Sequence, residues 1–367
     1  MLRHIAILVL ITMLVACAPR GALILVPQAD PRADEQKVFF GTMREPAPLG
    51  QFSGDRAETV HFGAYTVAIP PDRTAGEVSY PRAAPDLTRD FVTTAADLYD
   101  QPAAFTAALA RDLRRQPPGR RTAVIFVHGF NNTFAEGLYR SAQLTHDFGI
   151  QGVTLHYSWP SAASPFGYAY DRDSTLYART GFALFLDSVI AANPDEVLIV
   201  AHSMGSLLTM ETLRQMALKQ PGRVARVIDG LVMFSPDIDV DVFRSQVRDI
   251  GPMPRNVIVF TSQRDRALLL SARLSGQPDR LGNIETVEEL ADLNITVLDV
   301  TEFSRGLGHF TPGSSPDLIA LLRNVGELQS SLNKGAQVRP GLLPGTVITV
   351  RNATEIILSP LTALAGQ

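Results

Sequence analysis

Cysteine is nearly absent from this 367-residue sequence, and because Cys17 stands alone no disulfide can form within the chain. An excess of basic residues is also missing, since 33 Lys and Arg face 37 Asp and Glu and the formal net charge is −4. This balance argues against nucleic acid as a partner. Neither a glycine-rich dinucleotide motif nor a metal-ligand spacing is found, so we expect no cofactor and no catalytic metal.

A long apolar run occurs at the N-terminus, where Arg3 precedes residues 5–16. The run is short for a transmembrane helix and has the layout of a secretory signal. Leu14-Val15-Ala16-Cys17 resembles the lipobox of bacterial lipoproteins, which implies cleavage before Cys17 and its acylation. We therefore expect residues 1–16 to be a lipoprotein signal peptide and Cys17 to be the membrane anchor.

By the same resemblance, Ala18 after the cysteine favours the periplasmic face of the outer membrane of a Gram-negative cell. Residues 17–35 are rich in Pro, Ala, Arg and Asp without clear periodicity, which predicts an acylated cysteine followed by a tether.

Strand-like apolar segments alternate with helical patterns along residues 36–332, which predicts one domain with a mostly parallel sheet and helices on both faces. The expected strands of its regular part are residues 122–127, 152–157, 197–200, 230–234, 256–261 and 295–300. Residues 333–367 form a C-terminal extension of unknown role, for which an added strand, a packed extension and a partner-binding tail all remain open.

The segment "VLIVAHSMGSLL" has the pattern of a strand, a sharp turn and a helix, with Ser203 at the turn. Such a turn exposes a serine hydroxyl at the carboxyl edge of the sheet and points a helix N-terminus at a developing oxyanion. Small residues two before and two after the serine let strand and helix approach, and Ala201 and Gly205 are both small. Ser203 is therefore the candidate nucleophile.

The loop after strand 122–127 reads His128-Gly129-Phe130-Asn131. In this arrangement such a loop supplies one amide of an oxyanion hole, so the predicted donors are the backbone N–H groups of Phe130 and Met204. His128 and Asn131 are expected to shape this loop or to contact the substrate.

A serine nucleophile needs a base, and His309 is the histidine that follows the last strand, where the order serine, acid, histidine requires it. For the acid we favour Asp265, which follows the penultimate strand, while Asp237 and Asp239 follow the strand before it and remain alternatives.

The surroundings of the nucleophile supply candidate substrate contacts. His202 is the neighbour of Ser203, and the loop over residues 158–173 carries Trp159 and Tyr170, which form either an apolar acyl-binding wall or ordinary loop packing.

Seven segments occur together in an order that resembles the bacterial α/β-hydrolase family of unknown function, whose members are usually labelled esterase/lipase-superfamily enzymes. The resemblance covers about residues 36–325 and implies the α/β-hydrolase fold and a Ser203–Asp265–His309 triad. In that family the first elbow residue is commonly small, so Ala201 is no departure. The segments are "VFFGTMRE", "VIFVHGFNNTF", "YSWPS", "AHSMGS", "SPDIDVDVF", "TSQRDRAL" and "GLGHF".

The sequence thus favours a lipid-anchored serine hydrolase that cleaves small-molecule or lipid carboxylic esters through an acyl-enzyme. Thioester or amide hydrolysis by the same triad is an alternative, because the same oxyanion chemistry serves all three. A catalytically silent envelope lipoprotein with a binding role is another, because fold does not imply function.

Overall fold

The computed structural model describes residues 20–276, 280–290 and 292–323, and the backbone of residues 346–352 and 355–360. The predicted signal peptide and Cys17 lie outside the described residues. Among the described residues, no helix is both long and apolar enough to cross a membrane.

Eleven strands of the described chain form one sheet in the order β11-β10-β9-β8-β7-β6-β4-β5-β1-β2-β3. The strands are β1 Asp34–Ala47, β2 Gln51–Ile69, β3 Val92–Tyr99, β4 Thr122–Val127, β5 Val153–Ser158, β6 Glu196–His202, β7 Gly230–Phe234, β8 Asn256–Thr261, β9 Thr296–Asp299, β10 Thr346–Asn352 and β11 Glu355–Pro360. The pairings from β1 through β5, β4, β6, β7, β8 and β9 to β10 are all parallel. Antiparallel pairs occur at the two ends of the sheet.

Helices connect the parallel strands, as the alternating pattern predicts. They are α1 Pro102–Arg115, α2 Phe134–Asp147, α3 Tyr168–Ala191, α4 Met204–Lys219, α5 Arg223–Val227, α6 Val240–Ile250, α7 Arg266–Ser275 and α8 Thr311–Ser314, and a further helix is described over residues 316–323. Helix α2 begins at a capping box, in which the Glu136 amide donates to Thr133 Oγ1 (3.1 Å) and the Thr133 amide donates to Glu136 Oε2 (2.9 Å).

The sheet separates two apolar layers, because successive side chains of a strand point to opposite faces. On β4, Ile125 belongs to the larger core with α1, α3, α4 and α6, while Phe126 belongs to a second cluster with Leu144 of α2 and Leu318. Both Ile125 and Phe126 are buried. The predicted α/β class with helices on both faces is thus confirmed.

The N-terminal segment packs on the domain. Leu23 is buried in a cluster with Tyr139 of α2, the Val26 amide donates to the Thr93 carbonyl (2.9 Å), and the Thr93 amide donates to the Ile24 carbonyl (2.9 Å). The prediction of a tether is therefore wrong for residues 20–35. An apolar side chain and backbone pairing fix this stretch even though its composition lacks periodicity.

Strands β10 and β11 belong to the predicted C-terminal extension. β10 pairs in parallel with β9, from Thr346 opposite Thr296 to Thr349 opposite Asp299, and β11 returns antiparallel to β10. Of the alternatives left open by the sequence, the described backbone corresponds to added strands at the sheet edge.

The burial of Leu23 gives a test of the packed N-terminal segment. We expect Leu23→Ala to lower the free energy of unfolding by about 2–3 kcal/mol, because it removes buried methyl groups and leaves a cavity. Leu25→Ala is the matched control, since the Leu25 side chain is 61% exposed, and its loss should stay within about 0.5 kcal/mol. Urea unfolding followed by circular dichroism measures both, and equal losses would contradict the packed arrangement.

Candidate active site

Ser203 occupies the turn between β6, which ends at His202, and α4, which begins at Met204. Its backbone has φ +53° and ψ −124°, a conformation that an L-residue adopts only when its surroundings impose it. Gly205 lets the first turn of α4 approach the end of β4 closely, because a Cβ there would lie 2.4 Å from the His128 carbonyl oxygen. The turn is thus the strained strand-to-helix elbow that the sequence predicts.

Asp265 and His309 form a direct pair, with His309 Nδ1 2.8 Å from Asp265 Oδ2. Asp265 is fully buried and caps α7, since its Oδ1 accepts from the Ala267 amide (3.1 Å) and from the Leu268 amide (3.0 Å). The first turn of α7 therefore fixes the carboxylate, and the carboxylate orients the imidazole. Among the described residues, His309 Nε2 has no hydrogen-bond partner, so it is available to accept a proton.

His309 lies at the same edge of the sheet as Ser203. His202, the neighbour of the serine, has its ring centroid 4.7 Å from that of His309 and its Nε2 3.2 Å from the His309 carbonyl oxygen. Ser203 Oγ itself makes no hydrogen bond within the described residues. Such contacts commonly tighten only when substrate is bound.

The alternative acids occupy other networks. Asp237 Oδ1 accepts from Ser271 Oγ (2.6 Å), its Oδ2 accepts from Tyr168 OH (3.1 Å), and it pairs with Arg280, whose Nε lies 3.3 Å from Oδ1. Asp239 accepts from the Val242 amide and caps α6. Neither carboxylate contacts His309, so the geometry favours Asp265 as its partner.

Of the two predicted oxyanion donors, Phe130 lies in the loop between β4 and α2, and Met204 is the first residue of α4. A Cβ on Gly129 would lie 2.9 Å from Ser203 Cβ, so only glycine allows this approach. The amides of Phe130 and Met204 donate no hydrogen bond within the part of the chain that the structure describes. By contrast, the Asn131 amide already donates to Asp171 Oδ2 (3.1 Å), which removes it from the set of available donors.

Arg44 contacts this loop through His128 and Asn132, although no sequence motif points to it as a site residue. Its side chain is 1% exposed. Each of its N–H groups donates to a neutral oxygen or nitrogen, and none of these acceptors belongs to a carboxylate. Burial lowers the pKa of Arg44 to about 10, so the guanidinium stays charged at neutral pH. The contacts run to Ser158 Oγ (2.8 Å), the carbonyl oxygens of Ser53 (3.0 Å), Ser161 (3.0 Å) and Asn132 (2.8 Å), and His128 Nε2 (3.3 Å).

Asp171, on the first turn of α3, ties the oxyanion loop to the loop after β5. It accepts from the Asn131 amide, from Ser161 Oγ (2.6 Å) and from the Ala162 amide (2.6 Å). Burial raises its pKa even though these donors oppose the shift. The sequence signal for this network was an arginine in the "VFFGTMRE" segment, but its partners lie too far along the chain for any spacing rule.

Two of the predicted substrate contacts are buried. Trp159 is fully buried and stacks on His128 at 4.8 Å between ring centroids, and Trp159 Nε1 donates to the His128 carbonyl (2.8 Å). His128 is 1% exposed. The substrate-binding role expected for these two is therefore corrected to loop packing, the alternative that the sequence left open, because neither offers a free surface.

The other predicted contacts also have partners within the domain. Tyr170 OH donates to the Gly54 carbonyl (3.1 Å), and the Arg56 guanidinium lies over its ring. His202 is 9% exposed and packs between His309 and Phe310. Both residues hold elements around the site together, and His202 remains next to the nucleophile.

The buried histidines around the site are held neutral. Burial lowers the pKa of His128 and of His202 well below the usual range, and the positive charge of Arg44 adds to the effect at His128. Burial likewise lowers the pKa of His156 to about 3. His156 Nδ1 lies 3.1 Å from the Phe126 carbonyl, whereas its Nε2 has no hydrogen-bond partner among the described residues.

Open space occurs at two places on the domain. A cavity of about 330 Å³ is lined by His309 together with Leu307, Phe310 and Arg305. A groove of about 1230 Å³ lies between β2, α1 and α3, and none of the candidate catalytic residues lines it. Within the described residues, no cluster of His, Cys, Asp and Glu is suited to a metal ion.

An elbow serine, a buried acid–histidine pair and a mostly parallel sheet define the class of α/β hydrolases. The sequence over residues 101–325 matches the family described as alpha/beta hydrolase of unknown function (DUF900), and the chain belongs to that family. The resemblance is thus confirmed over residues 101–325, which contain six of the seven segments. No curated protein matches the sequence.

The depressed pKa of His156 predicts a pH dependence of stability. The unfolded histidine binds its proton near pH 6.5 and the folded one only near pH 3, so stability is complete above pH 6.5 and falls as the pH drops toward 3. Between pH 6.5 and 5 the contribution of His156 should fall by about 2 kcal/mol. The His156→Asn variant keeps a donor for the Phe126 carbonyl. Between pH 6.5 and 5, its free energy of unfolding, measured by urea titration, should fall by about 2 kcal/mol less than that of the wild type. Parallel curves for the two proteins would refute the assignment.

Proposed function

We propose that this α/β hydrolase is a serine hydrolase that cleaves carboxylic esters through a Ser203–His309–Asp265 triad. The observation that carries the proposal is the 2.8 Å contact between His309 and a fully buried Asp265, at the edge of the sheet where Ser203 occupies a strained elbow. A structural serine would not need this backbone conformation.

In the proposed reaction, Ser203 Oγ attacks the acyl carbonyl carbon while His309 Nε2 takes its proton. The tetrahedral intermediate collapses, the C–O bond to the leaving alcohol breaks, and His309 returns the proton to that alcohol. Water then attacks the acyl-enzyme with His309 as base, and Ser203 regains its proton as the acid product leaves. Atoms and protons balance without a cofactor.

Two backbone amides are assigned to the oxyanion. Those of Phe130 and Met204 donate to no group within the described residues, and Met204 is the first residue of α4, where the helix N-terminus favours negative charge. Asp265 would hold the imidazole with its proton on Nδ1 and stabilise the imidazolium.

We further propose that Cys17 is acylated and anchors the enzyme on the periplasmic face of the outer membrane. The lipobox-like segment supports this location. The other activities left open by the sequence, on thioesters and amides, would use the same groups. A silent binding lipoprotein is disfavoured, because a site without chemistry gains nothing from the strain at Ser203.

A fluorophosphonate probe tests the nucleophile. We expect the wild type to become labelled and Ser203→Ala to lose all label, because the probe forms its bond to an activated serine Oγ. His309→Ala should be labelled far more slowly. Thr209→Ala, which removes another buried hydroxyl of α4, is the matched control and should be labelled normally. An unlabelled wild type would refute the enzyme assignment, and label on Ser203→Ala would move it to another serine.

The two candidate acids are distinguished by matched amides. Asp265→Asn should lower kcat on a short-chain p-nitrophenyl ester by roughly 10³–10⁴-fold, because the amide no longer holds the productive tautomer of His309. Asp237→Asn should change kcat much less, since Asp237 contacts Tyr168 and Ser271. The reverse ranking would assign the acid to Asp237. Thermal unfolding of both variants checks that each is folded.

A further inference from the structure

Arg20 fastens the N-terminal segment to the candidate oxyanion loop. Its Nη2 donates to the Asn131 carbonyl (2.7 Å) and to Glu136 Oε2 (2.7 Å), and its Nη1 donates to Asn131 Oδ1 (3.1 Å). The Gly21 amide donates to Glu136 Oε1 (3.0 Å). Asn131 follows Phe130 directly, so this attachment lies one residue from a proposed oxyanion donor.

The chain between this attachment and the proposed lipid is short. Cys17 precedes Arg20 by three residues, and an extended chain spans about 3.3–3.6 Å per residue, so the two lie within roughly 10 Å of each other. Acyl chains on Cys17 therefore require the bilayer surface to lie close to the oxyanion loop.

Exposed apolar side chains occur at the same edge of the sheet. We call them the apolar rim. Phe166 is 96% exposed at the tip of the turn after β5, Leu307 is 69% exposed in the loop after β9, and Leu270 is 57% exposed on α7 after β8. All three follow carboxyl ends of parallel strands, and these ends share one edge with the loop that Arg20 contacts.

Two hydrogen bonds join the segments that carry the rim. Tyr168 OH lies 2.7 Å from Ser271 Oγ, which links the turn of Phe166 to α7. The Arg266 amide donates to the Leu307 carbonyl (3.0 Å), which links α7 to the loop of His309. The segments that carry the rim are therefore joined to one another and to the loop of His309.

Basic side chains accompany the rim. Arg266, Arg273 and Arg305 are exposed, and no ion pair involves them within the described residues. Arg264 nearby is paired with Glu302. Unpaired basic residues beside apolar ones suit a bilayer with anionic headgroups, since each cation near such a surface strengthens binding.

We propose that the apolar rim rests on the bilayer that holds Cys17, so that the active site takes its substrates from that bilayer. The substrate class is then a long-chain acyl ester with its acyl chain in the membrane and its carbonyl at the headgroup level. The bilayer is favoured over a second protein copy because the chain to Cys17 is too short to let this edge turn away. The substrate part of the proposal rests on the proposed triad, and the orientation rests on the proposed acylation of Cys17 but not on the triad.

The orientation is tested with the lipidated full-length protein in vesicles of phosphatidylethanolamine and phosphatidylglycerol. Cys17 is the only native cysteine, so acylation leaves an introduced cysteine as the one site for an environment-sensitive fluorophore. We expect fluorophores attached to Phe166→Cys and Leu307→Cys to emit at shorter wavelength when vesicles are present, and we expect brominated lipid to quench their emission. Leu218→Cys is the matched control, because Leu218 is 60% exposed near the end of α4, about 20 Å along the helix from Ser203.

The outcomes that overturn the orientation are specific. Equal emission and quenching at residues 166, 307 and 218 would refute it, and so would an unmodified Cys17 in the mass spectrum of the mature protein. A blue shift that appears without vesicles and grows with protein concentration would assign the rim to contact between two copies instead.

Activity on two substrates separates this inference from the proposed function. Phe166→Ser should lower hydrolysis of a long-chain ester embedded in vesicles by about tenfold, because it removes a large apolar contact with the membrane, and should leave hydrolysis of a soluble short-chain ester unchanged. Leu218→Ser should change neither rate. Equal rates of Phe166→Ser and wild type on vesicles refute the substrate class alone. A wild type inactive on both esters refutes the proposed function and the substrate class with it, while the fluorophore measurement still decides the orientation.

Discussion

The buried guanidinium of Arg44 requires the surrounding loops to supply an acceptor for each of its N–H groups. A charge in the interior is tolerated only when its donors are satisfied, and here no carboxylate accepts from them. Carbonyl oxygens, a hydroxyl and a neutral histidine from three separate segments supply the acceptors instead. Those segments are the start of β2, the candidate oxyanion loop after β4 and the loop after β5. Their contacts with one cation hold the three segments together.

The same cation separates the roles of the histidines. It disfavours a proton on His128, whose acceptor nitrogen it needs, and burial keeps His156 and His202 neutral as well. His309 differs because it pairs with the buried carboxylate of Asp265 and is partly open to solvent. The site thus places one histidine with an acid and surrounds it with others that serve as neutral packing and hydrogen-bonding groups.

The sequence predicted the class of sheet and the family, because alternating apolar segments and ordered motifs report on local structure and on ancestry. It also named Ser203, Asp265 and His309, which chain order alone brings to one edge of a parallel sheet. It did not predict Arg44, whose partners lie about 10 to 120 residues away, because no local pattern records such contacts. It mistook residues 20–35 for a tether, since the fixed position of Leu23 depends on α2. For Trp159 it left two roles open, because a loop aromatic looks the same whether it faces substrate or the core.

The position of β10 means that β9 gains its outer neighbour only after residues 346–352 have been made. β9 is four residues long and leads into the loop of His309, yet its outer neighbour is a strand that starts at Thr346. Until that strand is synthesised, β9 is an exposed sheet edge with unpaired backbone groups. A ribosome that has made the serine, the acid and the histidine has therefore not yet made the strand that covers this edge. Residues 346–352 therefore determine when the strand that precedes the His309 loop is paired on both sides.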